Sequence, residues 1–135
     1  MTYFVGILDG ADKVWGVRVP DLPGVHGGGA SPEDAIADAV KAAREWAAFQ
    51  MTKGIAIAAP RTVQQIKAAA DVALDHAAGE SLVMIPLVVD RGRSIKANIS
   101  LDAGQLDAID AEAARRGLTR SAFLAVAALE LIARP

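Results

Sequence analysis

The chain of 135 residues contains no cysteine, two histidines, and 14 basic against 16 acidic residues. This length accommodates one domain of ordinary size or two small domains. The lack of cysteine and the wide separation of the two histidines exclude a disulfide scaffold, a Cys/His zinc site and a thiol nucleophile. No stretch has the composition of a signal peptide or the length of a membrane-spanning helix, which predicts a cytoplasmic protein without a membrane partner.

The charges are unevenly distributed along the chain. Residues 1–90 contain seven basic and eleven acidic residues, a net charge of −4, whereas residues 91–135 contain seven basic and five acidic residues, a net charge of +2. Five of the six aromatic residues lie within the first 49 residues. We therefore expect two domains, 1–90 and 91–135, that differ in their cores and in their partners.

The first thirty residues predict three short strands. Thr2–Leu8 and Val14–Val19 are rich in β-branched and aromatic residues, and the Asp9-Gly10 turn signal between them indicates a hairpin. A Pro-Asp-Leu-Pro-Gly turn follows at 20–24, because its prolines fix φ and interrupt the hydrogen-bonded ladder. Val25–Ala30 is predicted as a glycine-rich third strand.

The first helix is predicted from Pro32 to about Met51. Ser31 is a favourable N-cap, and proline suits the first helical position. Apolar residues then recur at steps of three and four, which places them on one helical face, until Gly54 ends the pattern. Three strands and one amphipathic helix are enough to bury a small core.

A second helix and a fourth strand are predicted before the domain boundary. The helix begins at Thr62, where Gln65 completes a capping box, and continues to Gly79. Leu82–Val89 is predicted as a strand. Because it contains Pro86, it is expected at a sheet edge or at a bulge.

The remaining residues predict one strand and two helices. Ser94–Leu101 alternates strictly between polar and apolar residues, as a strand with one apolar face does. Helices are predicted from Ala103 to Arg116 and, after the N-cap Thr119, to about Ala133. The last helix is apolar around most of its circumference, and one strand and one helix cannot bury it. The sequence therefore predicts that a second copy of the chain covers it.

This order of elements resembles the ribbon-helix-helix family of DNA-binding proteins. The resemblance runs from Lys96 to Leu124 and is clearest at Gly117-Leu-Thr-Arg-Ser-Ala-Phe-Leu. In that family two strands pair into an antiparallel ribbon that enters the major groove. The likeness therefore implies base contacts from the polar face of the strand, by Lys96, Asn98 and Ser100.

The same resemblance implies phosphate contacts and a shared core. The N-terminus of the last helix suits an anion, which implies phosphate contacts by Thr119, Arg120 and Ser121. The implied dimer core consists of Ile95, Ile99, Leu101, Phe123, Val126 and Ala127. A homodimer is expected, and the sequence leaves open whether two dimers pair into a tetramer.

The N-terminal part resembles the HicB antitoxin family. The residues that carry this likeness are Val17-Arg-Val-Pro-Asp-Leu-Pro-Gly24, Gly29-Ala-Ser-Pro-Glu-Asp-Ala-Ile-Ala-Asp-Ala39 and Trp46. The resemblance implies an α+β fold, with a partial ribonuclease-H-like sheet and helices in residues 1–90 and a ribbon-helix-helix dimerisation domain in residues 91–135. It also implies an antitoxin that neutralises a HicA-like mRNA interferase toxin. By binding operator double-stranded DNA, the antitoxin would repress transcription of its own operon.

No catalytic constellation is recognisable, and neither an enzyme activity nor a cofactor or metal is expected. Asp9, Asp12 and Asp21 could bind Mg²⁺ by residue type, but they lie in turns, where aspartate is common for conformational reasons. The glycine run at 27–29 lacks the Gly-Lys-Ser/Thr of a phosphate-binding loop. Two alternatives remain: a stand-alone ribbon-helix-helix regulator with a ligand-sensing N-terminal domain, and a hydrolase that uses the α/β domain.

Overall fold

The computed structural model describes residues 1–134, which contain four strands and four helices. In chain order these are β1 (Thr2–Ala11), β2 (Val14–Arg18), β3 (His26–Gly29), α1 (Pro32–Thr52), α2 (Val63–Ala68), β4 (Ser81–Leu87), α3 (Ala103–Arg115) and α4 (Arg120–Ala133). Two compact units form: Met1–Arg91 with the chain from Ala133 onwards, and Gly92–Ile132. Pro135, the last residue of the expected second domain, lies outside the described residues. The expectation of a mixed α+β fold is confirmed.

The sheet of the first unit is antiparallel, with the strand order β3-β2-β1-β4. β1 and β2 form the predicted hairpin, in which Ala11 lies opposite Val14. Its turn contains Asp12 with a positive φ of 54°, a conformation that aspartate tolerates better than most residues. β4 forms one edge and contains Pro86, as the sequence predicts, because proline cannot donate a hydrogen bond to a further strand.

Helix α1 covers one face of this sheet and approaches it closely. The helix begins where the sequence predicts, since the Ser31 hydroxyl accepts the backbone N–H of Asp34 at 3.1 Å. The residues of α1 that face the core are mostly alanines, including Ala35, Ala39 and Ala43, all fully buried. These small side chains allow the helix axis to lie near the strands and leave the larger apolar groups to the sheet.

Both faces of the central strand β1 are covered. Phe4 belongs to the core beneath α1. Val5 and Ile7 alternate with the residues on that face, and they are also buried, as is Ile66 of α2. Apolar side chains on both faces of β1 are therefore buried, and α2 supplies a buried side chain despite its length of only six residues.

The second predicted helix is much shorter than expected. Its start is confirmed, because Thr62 and Gln65 form the reciprocal hydrogen bonds of a capping box. Its predicted end near Gly79 is wrong, since α2 stops at Ala68 and the residue after it adopts an extended backbone. The segment that follows is rich in alanine, so that a helix there would bury little apolar area.

Two arginines hold the chain after α2. Arg61 binds the carboxylate of Asp71 through both of its terminal nitrogens, at 2.9 and 3.2 Å. Arg18 of β2 donates to the carbonyl oxygen of Ala73 at 2.6 Å and to Glu80 at 2.7 Å. These long-range hydrogen bonds fix residues 71–80 in an irregular path, and local helical propensity cannot compete with them.

In the second unit, α3 and α4 lie within one residue of the predicted bounds. Asp102 caps α3 by accepting the backbone N–H groups of Gly104 and Gln105. The predicted strand Ser94–Leu101 is wrong for the single chain, because these residues are assigned to no strand. A strand needs a hydrogen-bonded neighbour, and no other part of the described chain pairs with this segment.

No helix within residues 1–134 has both the length and the apolar character that a membrane span requires.

Candidate nucleic-acid interface

The expected base-contacting residues lie in an exposed segment before α3. Lys96, Asn98 and Ser100 are exposed, as the predicted role requires. The apolar residues between them are exposed as well: 78% of Ile95 and 61% of Ile99 are accessible. Burial of one such side chain is worth about 1.5–3 kcal/mol. The segment therefore carries an apolar row that remains without cover in the single chain.

The rest of the expected dimer core is largely exposed. Val126 and Ala127 of α4 are exposed, Leu101 is exposed, and Phe123 is partly buried. Among the described residues of Gly92–Ile132, only Ala113 is buried. The single chain therefore leaves this unit almost without a core of its own.

The junction between α3 and α4 has a defined geometry. Gly117 adopts a positive φ of 69°, which glycine accepts without strain. Its backbone N–H donates to Ala114, and that of Leu118 donates to Ala113 at 2.8 Å, the hydrogen-bond pattern of a Schellman motif. Thr119 then caps α4, with its hydroxyl accepting the N–H of Ala122 at 3.1 Å. The predicted sequence of helix, glycine, threonine cap and helix is confirmed.

The three expected phosphate-contacting residues lie at the start of α4 and differ in the hydrogen-bond donors that they have available for a phosphate. The backbone N–H groups of Arg120 and Ser121 have no acceptor within the helix, because they lie in its first turn. Thr119 uses its hydroxyl for the cap. The guanidinium of Arg120 is already bound, since Nε and Nη2 each donate to a carboxylate oxygen of Asp110 at 2.8 Å. This hydrogen bond lowers the pKa of Asp110 and raises that of Arg120.

A second ion-pair group lies at the end of α3. Glu112 accepts hydrogen bonds from Arg115 at 2.6 and 2.8 Å and from Arg116 at 2.7 Å. Hydrogen bonds from Arg115 and then Arg116 lower the pKa of Glu112 to about 2. Neither Asp110 nor Glu112 is among the site residues that the sequence predicts. The spacing of Glu112 to its partners, three and four residues, is a signal that could have revealed it.

The second unit as a whole carries no net charge. Its basic residues are Arg93, Lys96, Arg115, Arg116 and Arg120, and its acidic residues are Asp102, Asp107, Asp110, Glu112 and Glu130, five of each. The surplus of +2 in residues 91–135 comes from Arg91 and Arg134, which lie outside this unit. Across residues 1–134, neither Arg93 nor Lys96 forms an ion pair, so the unpaired positive charge of the unit lies in the exposed segment.

The first unit uses several of its carboxylates to hold its own loops. Arg61 binds Asp21 through its backbone N–H and its side chain, at 2.8 and 2.7 Å, in addition to its bond with Asp71. Asp71 and Asp21 raise the pKa of the Arg61 guanidinium, and Arg61 lowers the pKa of Asp71. On the C-terminal side, Arg44 of α1 binds both oxygens of Asp90, at 2.7 and 3.0 Å.

One of these ion pairs involves a carboxylate that could bind Mg²⁺ by residue type. Asp21 is bound by Arg61, whereas Asp9 and Asp12 are exposed in the β1–β2 hairpin. Within the described part of the chain, no group of three or more histidine, aspartate or glutamate side chains is arranged to hold a metal ion. Sequence reasoning did not find the role of Arg61, because its partner Asp21 lies 40 residues away in the chain.

Comparisons with known proteins place this geometry in a family. Residues 3–128 match the family model described as HicB_like antitoxin of bacterial toxin-antitoxin system. Among solved structures, the chain resembles antitoxin HicB of Burkholderia pseudomallei, with 31% identity, a TM-score of 0.57, and coverage of 98% of this chain and 99% of that chain. The N-terminal domain of the same antitoxin, solved separately, matches with 26% identity and a TM-score of 0.53 over 64% of this chain and 99% of that chain.

A further structure, antitoxin HicB3, shares the fold at 22% identity, with a TM-score of 0.54 and coverage of 97% of this chain and 98% of that chain. No significant match was found among curated protein sequences. The family model spans nearly the whole chain, and the structural likeness extends through both compact units. The chain belongs to the HicB-like antitoxin family of bacterial toxin–antitoxin systems.

Proposed function

We propose that this antitoxin neutralises a HicA-like mRNA interferase toxin through residues 1–90 and represses its own operon by binding operator DNA through residues 91–135. The observation that carries the second half of the proposal is the exposed apolar surface of Gly92–Ile132. Only Ala113 is buried among the described residues of this unit, whereas Ile95 and Leu131 are 78% and 76% exposed. An apolar surface of this extent is typical of a protein–protein interface.

A second copy of the chain would cover this surface and complete the fold. Two copies of Ser94–Leu101, paired antiparallel, would satisfy the backbone groups that have no strand partner in one chain. The same pairing would place Ile95 and Ile99 of both copies on one face, against the two α4 helices. We therefore infer a homodimer built on a partial ribonuclease-H-like domain and a ribbon-helix-helix domain.

The opposite face of such a ribbon suits the edges of DNA bases. Lys96 can donate to guanine, Asn98 can bridge the N6 and N7 atoms of adenine, and Ser100 is short enough to adapt to either. Lys96 is exposed and forms no ion pair with any described residue, so its charge is available. The backbone N–H groups of Arg120 and Ser121 would bind a phosphate at the start of α4.

Lys96→Ala in the full chain tests the ribbon. We expect operator affinity to fall by about 1–3 kcal/mol while the protein stays a dimer, because the lysine contacts bases and not the partner copy. A gel-shift titration with the DNA upstream of the antitoxin gene measures this loss. Lys41→Ala, which removes an exposed lysine of α1, is the matched control. Equal affinities for the two variants would contradict the ribbon assignment.

The acidic first unit supports toxin binding. Residues 1–90 carry a net charge of −4, and an mRNA-cleaving toxin must present a cationic surface to its RNA substrate. Opposite charges of this kind accelerate association and favour the correct partner.

Co-expression with the product of the gene adjacent to that of the antitoxin tests toxin neutralisation. We expect the two proteins to co-purify as a stable complex and the antitoxin to restore growth of cells that express the toxin. Operator binding without complex formation and without rescue of growth would favour the stand-alone regulator instead. Mg²⁺-dependent nuclease activity that is lost in Asp9→Ala would favour the hydrolase.

A further inference from the structure

The arginines at the junction of α3 and α4 are held by carboxylates of α3. We call this set the junction cluster; it consists of Asp110, Glu112, Arg115, Arg116 and Arg120. Asp110 uses both oxygens on Arg120, each at 2.8 Å. Glu112 accepts from Arg115 and Arg116 at distances between 2.6 and 2.8 Å. Two carboxylates therefore bind three arginines within a stretch of eleven residues and lower the net charge of the junction cluster from +3 to +1.

Stability alone gives little reason for this arrangement. The side chains of Arg115, Arg116 and Arg120 are 68%, 55% and 52% exposed, and those of Glu112 and Asp110 are 33% and 43% exposed. Ion pairs at exposed sites contribute little to the free energy of folding, because water screens them and both side chains lose rotamer freedom. Their main effect is on the electrostatic potential that the junction presents to a charged partner.

For a protein that binds DNA, that potential matters most for sequences other than the operator. Affinity for DNA of any sequence comes from cations that reach phosphates and release counterions. A carboxylate that binds arginine cancels one positive charge and competes with phosphate for the guanidinium. With the arginines of the junction cluster held in this way, the cations of the unit that form no ion pair with any described residue are Arg93 and Lys96. Lys96 lies in the segment expected to read bases, and Arg93 directly precedes that segment.

We propose that Asp110 and Glu112 are specificity-determining residues, which lower the affinity of the antitoxin for non-operator DNA by holding the three arginines of the junction cluster. The inference rests on the proposed DNA-binding function and deepens it. What a repressor needs is a large ratio between operator and non-operator affinity, because competing sites vastly outnumber the operator. A less positive helix junction raises this ratio, because it lowers the affinity for non-operator DNA and leaves the base contacts intact.

Three variants of the full chain test this inference: Asp110→Asn, Glu112→Gln and the double variant. Asp107→Asn is the matched control, because it removes the same charge from α3 but Asp107 forms no ion pair with any described residue. Each protein is titrated with an operator duplex from the upstream region and with a scrambled duplex of equal length, at several salt concentrations.

We expect the test variants to bind the scrambled duplex several-fold more tightly than the Asp107→Asn control does. The slope of log affinity against log salt should steepen by about 0.9 for each freed arginine that reaches a phosphate. Glu112→Gln frees two arginines and Asp110→Asn frees one, so Glu112→Gln should have the larger effect. The ratio of operator to scrambled affinity should fall in both variants and fall furthest in the double variant.

Two results would overturn the inference. In the first, the test variants have the same salt slope and the same ratio of operator to scrambled affinity as Asp107→Asn. In the second, the test variants bind both duplexes more weakly than the control does. The second result would mean that the carboxylates position the arginines for binding. Circular dichroism confirms that each variant is folded, and either single variant carries the test if the other fails to fold. If the unmodified protein binds neither duplex, the proposed DNA-binding function fails together with this inference; if it binds the operator normally, only the inference is at stake.

Discussion

At Gly27 and Gly29, the side chain that glycine lacks would overlap the backbone of α1. An ideal Cβ at Gly27 would lie 2.4 Å from the carbonyl oxygen of Ala35, and one at Gly29 would lie 2.8 Å from the backbone nitrogen of the same residue. Two glycines of the run that might suggest a phosphate-binding loop, Gly27 and Gly29, are therefore required for the packing of α1 on the edge strand β3. The sequence alone contains no sign of this role, because it depends on how closely the helix approaches.

Substitution of Gly27 tests the packing argument. Gly27→Ala should lower the free energy of unfolding by about 1–3 kcal/mol, because the added methyl group must displace backbone atoms of α1. Gly28→Ala is the matched control, since its Cβ would meet only the carbonyl oxygen of Trp15, at 3.6 Å. Urea denaturation of both variants measures the difference. Equal unfolding free energies would show that the helix can shift to accept the side chain.

The carboxylate of Glu112 provides a prediction about pH. Hydrogen bonds from Arg115 and Arg116 lower its pKa from 4.5 to about 2 in the folded chain. A carboxyl group whose pKa is lower in the folded state contributes stability above the unfolded value, and loses this contribution as the pH falls towards the folded value. This stabilising contribution is therefore lost as the pH falls from about 4.5 to about 2.

Nuclear magnetic resonance can follow the Glu112 carboxyl directly. We expect it to remain ionised below its ordinary pKa of 4.5 for as long as the protein is folded. In the double variant Arg115→Ala/Arg116→Ala, the titration should return towards that ordinary value, because both hydrogen-bond donors are gone. A titration near the ordinary value in the unmodified protein would show that the ion pairs of the junction cluster do not persist in solution.

At the scale of whole elements, the parts that the sequence predicts best are those with local signals. The hairpin β1–β2 follows from a turn dipeptide, and the starts of α1 and α2 follow from caps three residues from their partners. The end of α2 depends on distant residues: Arg61 binds Asp71, and Arg18 of β2 binds Ala73. Residues far apart in the chain cannot be paired from local periodicity, so the sequence alone predicts a helix for the alanine-rich segment.

The Arg61 contacts predict how the segment after α2 is held. Arg61→Ala should lower the midpoint of thermal unfolding, and it should raise the hydrogen-exchange rates of residues 69–80 more than those of the sheet, because Asp21 and Asp71 lose their shared partner. Lys67→Ala is the control, since it removes an exposed cation of α2 that forms no ion pair with any described residue. If residues 69–80 exchange equally fast in Arg61→Ala and Lys67→Ala, Arg61 does not hold this segment.

For Ser94–Leu101, the sequence pattern and the single-chain structure differ for a physical reason. The alternation of apolar and polar residues predicts a strand, but no strand within residues 1–134 pairs with this segment. A second copy of the segment is the partner that the proposed function supplies. The candidate base contacts follow from this alternation and a family resemblance, and the pairing of Glu112 is readable from its spacing of three and four residues to Arg115 and Arg116. The pairing of Asp110 with Arg120 spans ten residues across the helix junction and depends on its three-dimensional geometry.

At the scale of the whole molecule, the net charge is distributed unevenly between the two compact units. The compact unit Gly92–Ile132 is neutral, so the overall net charge of −2 reflects the acidic excess of the first unit. A neutral unit cannot bind DNA tightly through its overall charge. Binding must then depend on where its unpaired cations lie and on how many copies of the unit act together, which makes the oligomeric state decisive for function.

Dimerisation through the apolar row of the exposed segment is therefore the central prediction for the whole molecule. The unmodified protein should sediment as a dimer or a larger even-numbered assembly, and Ile99→Lys should shift it to the monomer, because a charged side chain would be buried at the centre of the ribbon. Asn98→Lys places the same residue one position away, on the polar face, and should leave the dimer intact. Sedimentation velocity of the three full-length proteins at equal concentration distinguishes these outcomes. If Ile99→Lys sediments like the unmodified protein, the ribbon does not form the interface, and the exposed apolar surface must serve another partner.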